Sequence, residues 1–505
     1  MARKRGNSGP TGRDADICMI FEGSYPYTQG GVSVWAHDLI QSLPDLTFHL
    51  WCLVAKPEDL VLKFDLPENV VGKTDVVLFE EDLGSSRTHI PEDFWDAVTK
   101  LHNLSGLSER SEVLWEEIGR LLPKSSSIPV LQYLLHPRAY ELLVEMYLKR
   151  NEPLSFLDYF YTYLFAHLPL MNLMGQKVPK ARLYHAVSTG YAGFLGSKAK
   201  RMTGSPLILT EHGIYTNERL VEIILADWIY SRRDRKIQIG KSTTSLKQIW
   251  MNVFQFLGRL TYDQSDLITT LFKGNLDMQV RYGADPDKIE IIPNGVDLQK
   301  YARLERATNP DSPLVALIAR VVPIKDVRTF IKACRVVADA VPNARFKVLG
   351  TTEQSPAYYQ KCLEYRHLMQ LEEKLEFTGN VDVADYYPEI DVSVLTSVSE
   401  ALPLTVLESM ACGIPVVTTR VGSCEELLFG KDDSDRKTGA CGIIAEVGNH
   451  RQVGEAITRI LLNSRLAEKM IVAGKERVKI YYDLTIVHEQ YATLYREWLL
   501  REKAA

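Results

Sequence analysis

Short apolar segments separated by helical segments are the feature that most constrains how this chain can fold. A strand, a helix and a further strand in succession form a parallel sheet with the helix packed on one face. The pattern therefore predicts an α/β fold with doubly wound parallel sheets. The strand-like segments of the first part are "ICMIFEG" (17–23), "TFHLWCLVA" (47–55), "RLYHAVS" (182–188), "PLILTEHG" (206–213), "DLITTLF" (266–272) and "KIEIIPNGVD" (288–297).

A second alternation follows the polar, proline-containing segment "RLERATNPDSP" (303–313). We therefore expect two Rossmann-like domains joined near residue 305, with a ligand cleft between them at the carboxyl ends of the strands. The strand-like segments of the second part are "LVALIAR" (314–320), "RFKVLG" (345–350), "KLEFTGN" (374–380), "DVSVLTS" (391–397) and "IPVVTT" (414–419).

The predicted domain boundaries follow from the same patterns. From about 56 to 150 the sequence is polar and helical, which indicates a helical insertion in the first domain. One face of a C-terminal helix carries Val487, Tyr491, Leu494 and Trp498, and we expect this helix to cross back to the N-terminal domain. The predicted regions are a disordered arm at 1–16, an N-terminal domain at 17–305, a C-terminal domain at 306–483 and the crossing helix at 484–505.

Composition and charge exclude several classes of protein. The chain has 505 residues, and its net charge of −5 provides no basic field for nucleic acid. Seven cysteines lack metal-ligand spacing, which favours reduced thiols. The polar N-terminus does not have the pattern of a signal peptide, and the apolar stretch near 163–174 is too short to span a membrane. We therefore expect a soluble, cytoplasmic protein.

The segment "SVSEALPLTVLESMACGIPVV", which begins at residue 397, places Glu400 and Glu408 around a predicted helix start. Pro403 suits the first turn of a helix, and the amides around Leu402 and at Leu404, Thr405 and Val406 would form an anion site. Because carboxylates repel an anion, the two glutamates would serve hydroxyl groups, and a nucleotide sugar offers both hydroxyls and a diphosphate. The structural alternative is a helix start decorated with acidic residues.

Two cations follow the first strand of the second domain. Arg320 ends "LVALIAR" and Lys325 comes five residues later, so both would emerge at the carboxyl end of that strand. A guanidinium and an ammonium suit a diphosphate whose negative charge grows as it leaves. Ordinary solvated cations would show the same pattern.

Three features of the first domain have both a structural and a functional interpretation. Gly30 and Gly31 would let the backbone approach a phosphate, or simply form a turn. Glu211 and His212 end a strand and would face the cleft, although a histidine there is often structural. The basic segment at 231–241 is either a solvated loop or a loop near an anionic substrate.

Taken together, the segments "GGV", "TEHG", "IPNGVD", "RVVPIK", "SEALPLTVLE" and "ACGIPVV" resemble glycosyltransferase family 4, whose members are retaining enzymes with the GT-B fold. The resemblance covers about 17–30 and 206–500, with the motifs in the family's order. Glu400 and Glu408 match the family's E-x7-E motif. A narrower resemblance, carried by the insertion, by "STGYAGFLG" (188–196) and by "TEHGIYTNER", is to the cytosolic transferases of Pel exopolysaccharide biosynthesis.

The resemblance implies a role for each motif residue of the second domain. Arg320 and Lys325 would hold the donor diphosphate and stabilise the leaving nucleotide. Glu408 would bind the ribose hydroxyls and Glu400 the donor sugar hydroxyls. The sequence departs from many relatives at Ala401, where they have glycine, and this puts the expected backbone conformation near the donor sugar in doubt.

In the first domain, the resemblance implies that Gly31 contacts phosphate through its amide and that His212 lies beside the donor sugar. The implied reaction moves a hexose or N-acetylhexosamine from a UDP-sugar, with UDP-glucose favoured, to a growing exopolysaccharide. An inner-membrane synthase or export complex would be the partner and would recruit the chain peripherally. The insertion at 92–150 is the candidate docking or lid surface.

No metal or other cofactor is expected. The two Asp-x-Asp pairs, Asp14/Asp16 and Asp285/Asp287, do not follow a strand into the predicted cleft. The alternatives are a UDP-sugar epimerase, a pyridoxal-phosphate-dependent glycan phosphorylase, whose Schiff-base lysine motif is missing, and a sugar-nucleotide-binding scaffold of a secretion complex.

Overall fold

The computed structural model divides into two compact units. Unit 1 comprises Met1–Thr270, Leu276–Glu290 and Ala492–Ala505, and unit 2 comprises Leu271–Asn275 and Ile291–Tyr491. The described residues are 14–81, 89–104, 111–125, 128–150, 154–225, 245–301, 303–307 and 309–502.

The sheet of unit 1 has seven strands in the order β3-β2-β1-β4-β5-β6-β7. The pairings from β3 through β6 are all parallel. The central strand β1 is apolar and almost fully buried, because helices cover both faces of a parallel sheet. The strands are β1 (Ala15–Glu22), β2 (Phe48–Val54), β3 (Val70–Val77), β4 (Ala181–Ala186), β5 (Leu207–Glu211), β6 (Leu267–Thr270) and β7 (Ile289–Ile291).

Helices α2 to α6 form a helical region between β3 and β4. Among the described residues, no helix is both long enough and apolar enough to cross a membrane. The helices up to β7 are α1 (Gly31–Gln41), α2 (Glu92–Leu104), α3 (Ser111–Ser125), α4 (Val130–Leu134), α5 (Pro137–Lys149), α6 (Phe156–Gly175), α7 (Tyr191–Thr203), α8 (Tyr215–Leu225), α9 (Ser245–Gln264) and α10 (Lys273–Arg281).

The sheet of unit 2 has six parallel strands in the order β10-β9-β8-β11-β12-β13. This second parallel sheet confirms the predicted α/β fold with two Rossmann-like halves. The strands are β8 (Leu314–Ile318), β9 (Arg345–Leu349), β10 (Leu375–Gly379), β11 (Ile390–Leu395), β12 (Val416–Thr419) and β13 (Gly442–Ala445).

The remaining helices belong to unit 2, except that the last one continues into unit 1 at Ala492. They are α11 (Leu298–Tyr301), α12 (Val327–Ala340), α13 (Pro356–Leu368), α14 (Leu404–Ala411), α15 (Cys424–Phe429), α16 (Asp433–Arg436), α17 (His450–Leu461), α18 (Ser464–Tyr481) and α19 (Leu484–Glu502).

The structure differs from the predicted boundaries at three places. Strand β3 lies inside 56–150, so the helical region begins at Glu92 and extends to Gly175. The units divide at 290/291 rather than near 305. Ala15 and Asp16, which were placed in the predicted arm, begin β1. The rest of that arm up to residue 13 and the whole basic segment at 231–241 lie outside the described residues.

Candidate functional site

The loop after β8 carries Arg320 and Lys325 at the carboxyl end of the sheet of unit 2. Arg320 is exposed, and its Nη1 donates to Gln354 Oε1 at 2.9 Å. Gly350, which follows β9, has a φ of +150°, and a Cβ there would lie 2.3 Å from the Ala319 carbonyl oxygen. Glycine at this position therefore lets the neighbouring strand pass close to the loop that presents Arg320.

Lys325 and Glu400 form an ion pair. Lys325 Nζ donates to Glu400 Oε1 at 2.5 Å, and Ser397 Oγ donates to the same oxygen at 2.5 Å. The lysine and glutamate side chains are 20% and 13% exposed. Lys325, predicted to bind the donor diphosphate, and Glu400, predicted to bind the donor sugar, are therefore in direct contact.

The backbone of the loop that carries Glu400 is held on both sides. Val398 N donates to Ile324 O at 2.8 Å, and Ser423 N donates to Ala401 O at 2.8 Å. Gly422 has a φ of +50°, and a Cβ there would lie 2.3 Å from that same Ala401 oxygen. These contacts position Glu400 beside the loop of Lys325.

Helix α14 begins at the predicted place, with Pro403 as its N-cap rather than inside its first turn. Leu404 and Thr405 are its first two residues, and amides at these positions have no partner within the helix. Val406 N donates to Pro403 O at 3.1 Å, so this predicted anion donor is already occupied. Ser409 Oγ donates to Ser393 Oγ at 2.8 Å and so fixes the helix on β11.

Glu408, on α14, accepts hydrogen bonds from two tyrosines that the sequence analysis did not identify. Tyr301 Oη donates to Glu408 Oε1 at 3.1 Å, and Tyr387 Oη donates to Oε2 at 2.6 Å. Burial, and then the Glu408 carboxylate, raise the pKa of both tyrosines, which keeps the hydroxyls as neutral donors. Neither tyrosine belongs to a motif, and no spacing signal marked them.

The edge of unit 2 thus combines cations, helix amides and carboxylates. Each carboxylate oxygen has two lone pairs, so Glu408 keeps acceptor capacity after binding both tyrosines. The amides of Leu404 and Thr405, with Arg320, can stabilise an anion. This arrangement suits a ligand that has both a phosphate group and vicinal hydroxyls.

In unit 1 the structure brings His212 to the helix that begins at Gly31. Gly31 is the exposed first residue of α1, and Gly30 is its N-cap. Trp35, on the same helix, meets the half-buried His212 in an edge-to-face contact with ring centroids 4.5 Å apart. Trp35 was not identified from the sequence.

Glu211 was predicted to face the ligand cleft, but the structure buries its side chain. It accepts hydrogen bonds from Tyr262 Oη at 2.6 Å, Gln279 Nε2 at 2.9 Å and Thr189 Oγ1 at 3.1 Å. Burial raises the pKa of Glu211. It is a structural residue that ties β5 to α9, to α10 and to the loop that precedes α7.

The Asp-x-Asp pairs have structural partners. Asp16 accepts from Thr47 Oγ1 at 2.8 Å and from Arg182 Nη1 at 3.0 Å. Asp285 accepts from the amide of Asp287 at 3.1 Å. Across the described parts of the chain, no group of three or more histidine, cysteine, aspartate or glutamate side chains could hold a metal ion.

Comparison with known proteins relates the two parts of the chain to different family models. Residues 15–287 match "Domain of unknown function (DUF3492)", and residues 312–463 match "Glycosyl transferases group 1". The chain is 29% identical over 188 residues to D-inositol 3-phosphate glycosyltransferase 2 of Catenulispora acidiphila, which covers 32% of this chain and 44% of that protein. It is 24% identical to the N-acetyl-alpha-D-glucosaminyl L-malate synthase of Bacillus anthracis, over 48% of this chain and 63% of that protein. The chain thus spans about half the length of these curated relatives.

Solved structures with the same fold cover nearly the whole chain. Sucrose-phosphate synthase from Thermosynechococcus elongatus has a TM-score of 0.59 at 15% identity, over 96% of this chain and 100% of that one. Anabaena Alr3699/HepE, solved with UDP and glucose, has a TM-score of 0.56 at 14% identity, over 95% and 99% of the two chains. These neighbours confirm the GT-B class of fold. The first family model matches more than half of the residues of this chain, so the chain belongs to the DUF3492 family. Its second half carries a domain of the group 1 glycosyl transferases.

Proposed function

We propose that the protein is a retaining glycosyltransferase that moves a hexose or N-acetylhexosamine from a UDP-sugar to an acceptor hydroxyl. The observation that carries the proposal is the arrangement at the carboxyl edge of unit 2. There Arg320, the Lys325–Glu400 pair, the start of α14 and Glu408 surround one edge of the sheet.

Each group has a distinct task in the proposed reaction. Arg320, Lys325 and the amides of Leu404 and Thr405 bind the diphosphate and stabilise the charge that grows on it as the sugar–phosphate bond breaks. Glu408, oriented by its two tyrosines, accepts hydrogen bonds from the ribose. Because cations and amides neutralise the diphosphate, the transfer would need no metal ion.

Glu400 has two tasks in this scheme. Its carboxylate binds hydroxyls of the donor sugar, and it also holds the Lys325 ammonium in place before the donor arrives. In unit 1, His212 would contact the donor sugar and Gly31 a phosphate through its amide.

The donor and the biological setting are proposed from similarity. Anabaena Alr3699/HepE was solved with UDP-glucose, which supports a UDP-sugar with glucose as the first candidate. The resemblance to PelF, the cytosolic transferase of Pel exopolysaccharide biosynthesis, supports a growing exopolysaccharide as acceptor and an inner-membrane synthase or export complex as partner. We propose that such a partner recruits the protein to the cytoplasmic side of the membrane.

Release of UDP from a panel of UDP-sugars, with and without EDTA, tests the proposal. We expect UDP release that EDTA does not abolish, and an α-linked product by NMR when the donor is α-linked. Interconversion of UDP-sugars without release of UDP would identify an epimerase instead. Tight UDP-sugar binding without turnover in the presence of acceptor oligosaccharides and membranes would identify a binding scaffold.

A further inference from the structure

The helical region of unit 1 encloses an apolar cavity of about 200 Å³ among α2–α6 and α9. Its wall is mostly apolar, and it includes the flexible side chains of Met146, Met171 and Met174. Methionine adapts to ligands of different shape. A dry cavity of roughly 150 Å³ already binds benzene, so this one can hold a segment of hydrocarbon chain.

Besides three tyrosines, the cavity is lined by the polar side chains of Arg150, His167 and Asn252. These last three are half-buried. His167 is fixed, since its ring stacks on Tyr163 at 3.8 Å and its Nδ1 lies 2.7 Å from the Tyr163 carbonyl oxygen. The wall therefore offers fixed polar groups as well as apolar surface to a ligand.

Arg150 is a cation without a carboxylate partner among the described residues. Its guanidinium lies over the ring of Tyr159, 5.5 Å from the ring centroid, and that ring also lines the cavity. The neighbouring Lys149, in contrast, pairs with Glu145 at 2.7 Å. A half-buried guanidinium beside an apolar cavity suits a ligand that combines an anionic group with a hydrocarbon chain.

We propose that this cavity binds an anionic amphiphile, with the end of its alkyl chain among the methionines and its carboxylate or phosphate at Arg150. The site shares no residue with the edge of unit 2, and it does not depend on the proposed transferase activity.

Calorimetric titration of the full chain with single-chain probes, below their micelle concentrations, tests the proposal. The probes are hexanoate, octanoate, decanoate, decyl phosphate, decanol and decyltrimethylammonium. We expect affinity to rise about fourfold per added methylene until the cavity is filled. Decanoate or decyl phosphate should bind about tenfold more tightly than decanol, and the preference between these two anions identifies the head group.

Two variants separate the contribution of the ligand's alkyl chain to binding from that of its head group. Ala166 lines the cavity and is buried, so Ala166→Leu should fill it and weaken decanoate binding at least tenfold. Arg150→Gln should remove the preference for the anions and leave the dependence on chain length. Lys149→Gln, which changes a paired surface cation on the same helix, is the matched control and should bind as the unaltered protein does.

The proposal is overturned if neither decanoate nor decyl phosphate binds saturably, or if decyltrimethylammonium binds as tightly as decanoate. Unchanged binding by a folded Ala166→Leu variant would place the ligand elsewhere. Circular dichroism establishes that the variant is folded. If it is not, Leu170→Trp, at a half-buried position in the cavity wall, takes its place with the same expected loss.

Discussion

In the proposed reaction, Arg320 and Lys325 stabilise the charge that builds on the leaving diphosphate. Arg320→Ala and Lys325→Ala should each lower kcat by roughly 10²–10³-fold, as expected when one preorganised charge stabiliser is removed. Steady-state UDP release measures this. Lys347→Ala is the control, because Lys347 sits on β9 and pairs with Glu376 at 3.1 Å, outside the candidate site. A loss confined to KM would show that these cations bind the donor without acting on the transition state.

The two glutamates should separate nucleotide binding from turnover. Glu408→Ala should weaken UDP binding by roughly 1.5–3 kcal/mol, the range for a hydrogen bond to a charged group. In the proposed scheme, Glu400→Ala should lose turnover and retain free UDP affinity, because UDP has no sugar for Glu400 to hold and Lys325 keeps its charge when its carboxylate partner is removed. Calorimetry with UDP measures both. Equal losses of UDP affinity would contradict the assigned roles.

Tyr387 should act on the nucleotide through Glu408. Tyr387→Phe removes the 2.6 Å hydrogen bond to Glu408 Oε2, and we expect UDP affinity to fall by about 1 kcal/mol, roughly fivefold, while kcat is retained. The adjacent Tyr386→Phe is the matched control. If UDP affinity is the same for both variants, Tyr387 does not position Glu408.

At the scale of residues, the sequence predicted groups that belong to recognisable motifs and missed those that support them. Glu400, Glu408, Arg320 and Lys325 were identified because their spacing around strand ends is characteristic. Tyr387 lies 21 residues before its partner Glu408 and Tyr301 lies 107 residues before it. Such contacts arise only from tertiary packing, which local patterns do not contain.

At the scale of elements, the edge strand β3 was the main omission. Its sequence, "VVGKTDVV", contains glycine and charged residues, and only one of its eight residues is buried. The period-two alternation that identifies a half-buried strand is therefore weak. The central strands were predicted correctly, because burial on both faces makes them continuously apolar.

Helix α7 makes an unusual contact with the end of α6, and this contact should depend on pH. Lys198, on α7, is 1% exposed, and its Nζ donates to the carbonyls of Leu173, Met174 and Gln176 at 3.0, 2.7 and 2.5 Å. Burial lowers the pKa of Lys198 from 10.5 to about 8, although the carbonyls favour the ammonium. Between these two values the unfolded chain binds more protons, so this lysine makes the free energy of unfolding rise with pH.

Denaturant unfolding of the protein and of Lys198→Met at pH 7.5 and 9.5 measures this effect. The free energy of unfolding of the unaltered protein should gain about 2 kcal/mol relative to that of the variant over this interval. The comparison cancels the titration of other groups. A difference that stays constant with pH would mean that Lys198 keeps an ordinary pKa in the folded state.

At the scale of the molecule, both parallel sheets were predictable and the division between units was not. The segment "IPNGVD" lies before the polar linker at 303–313, yet it belongs to unit 2. Val296 N donates to Tyr482 O at 2.8 Å, and Leu484 N donates to Val296 O at 3.0 Å. The linker marks a change in composition, whereas the division between the units depends on contacts between residues almost 190 positions apart in the sequence.

The last helix, α19, starts in unit 2 and finishes in unit 1, so neither unit is a single stretch of sequence. In unit 1, Tyr495 Oη lies 2.6 Å from Nδ1 of the buried His185, and Arg182 Nη2 donates to Leu499 O at 2.9 Å. Unit 1 should therefore fold fully only when α19 is present. A fragment ending at residue 290 should be poorly folded alone, and a synthetic peptide of 484–502 should restore its thermal transition. A peptide with Tyr495→Ala should fail, whereas a fragment that melts identically with and without the peptide would show that the helix is dispensable to unit 1.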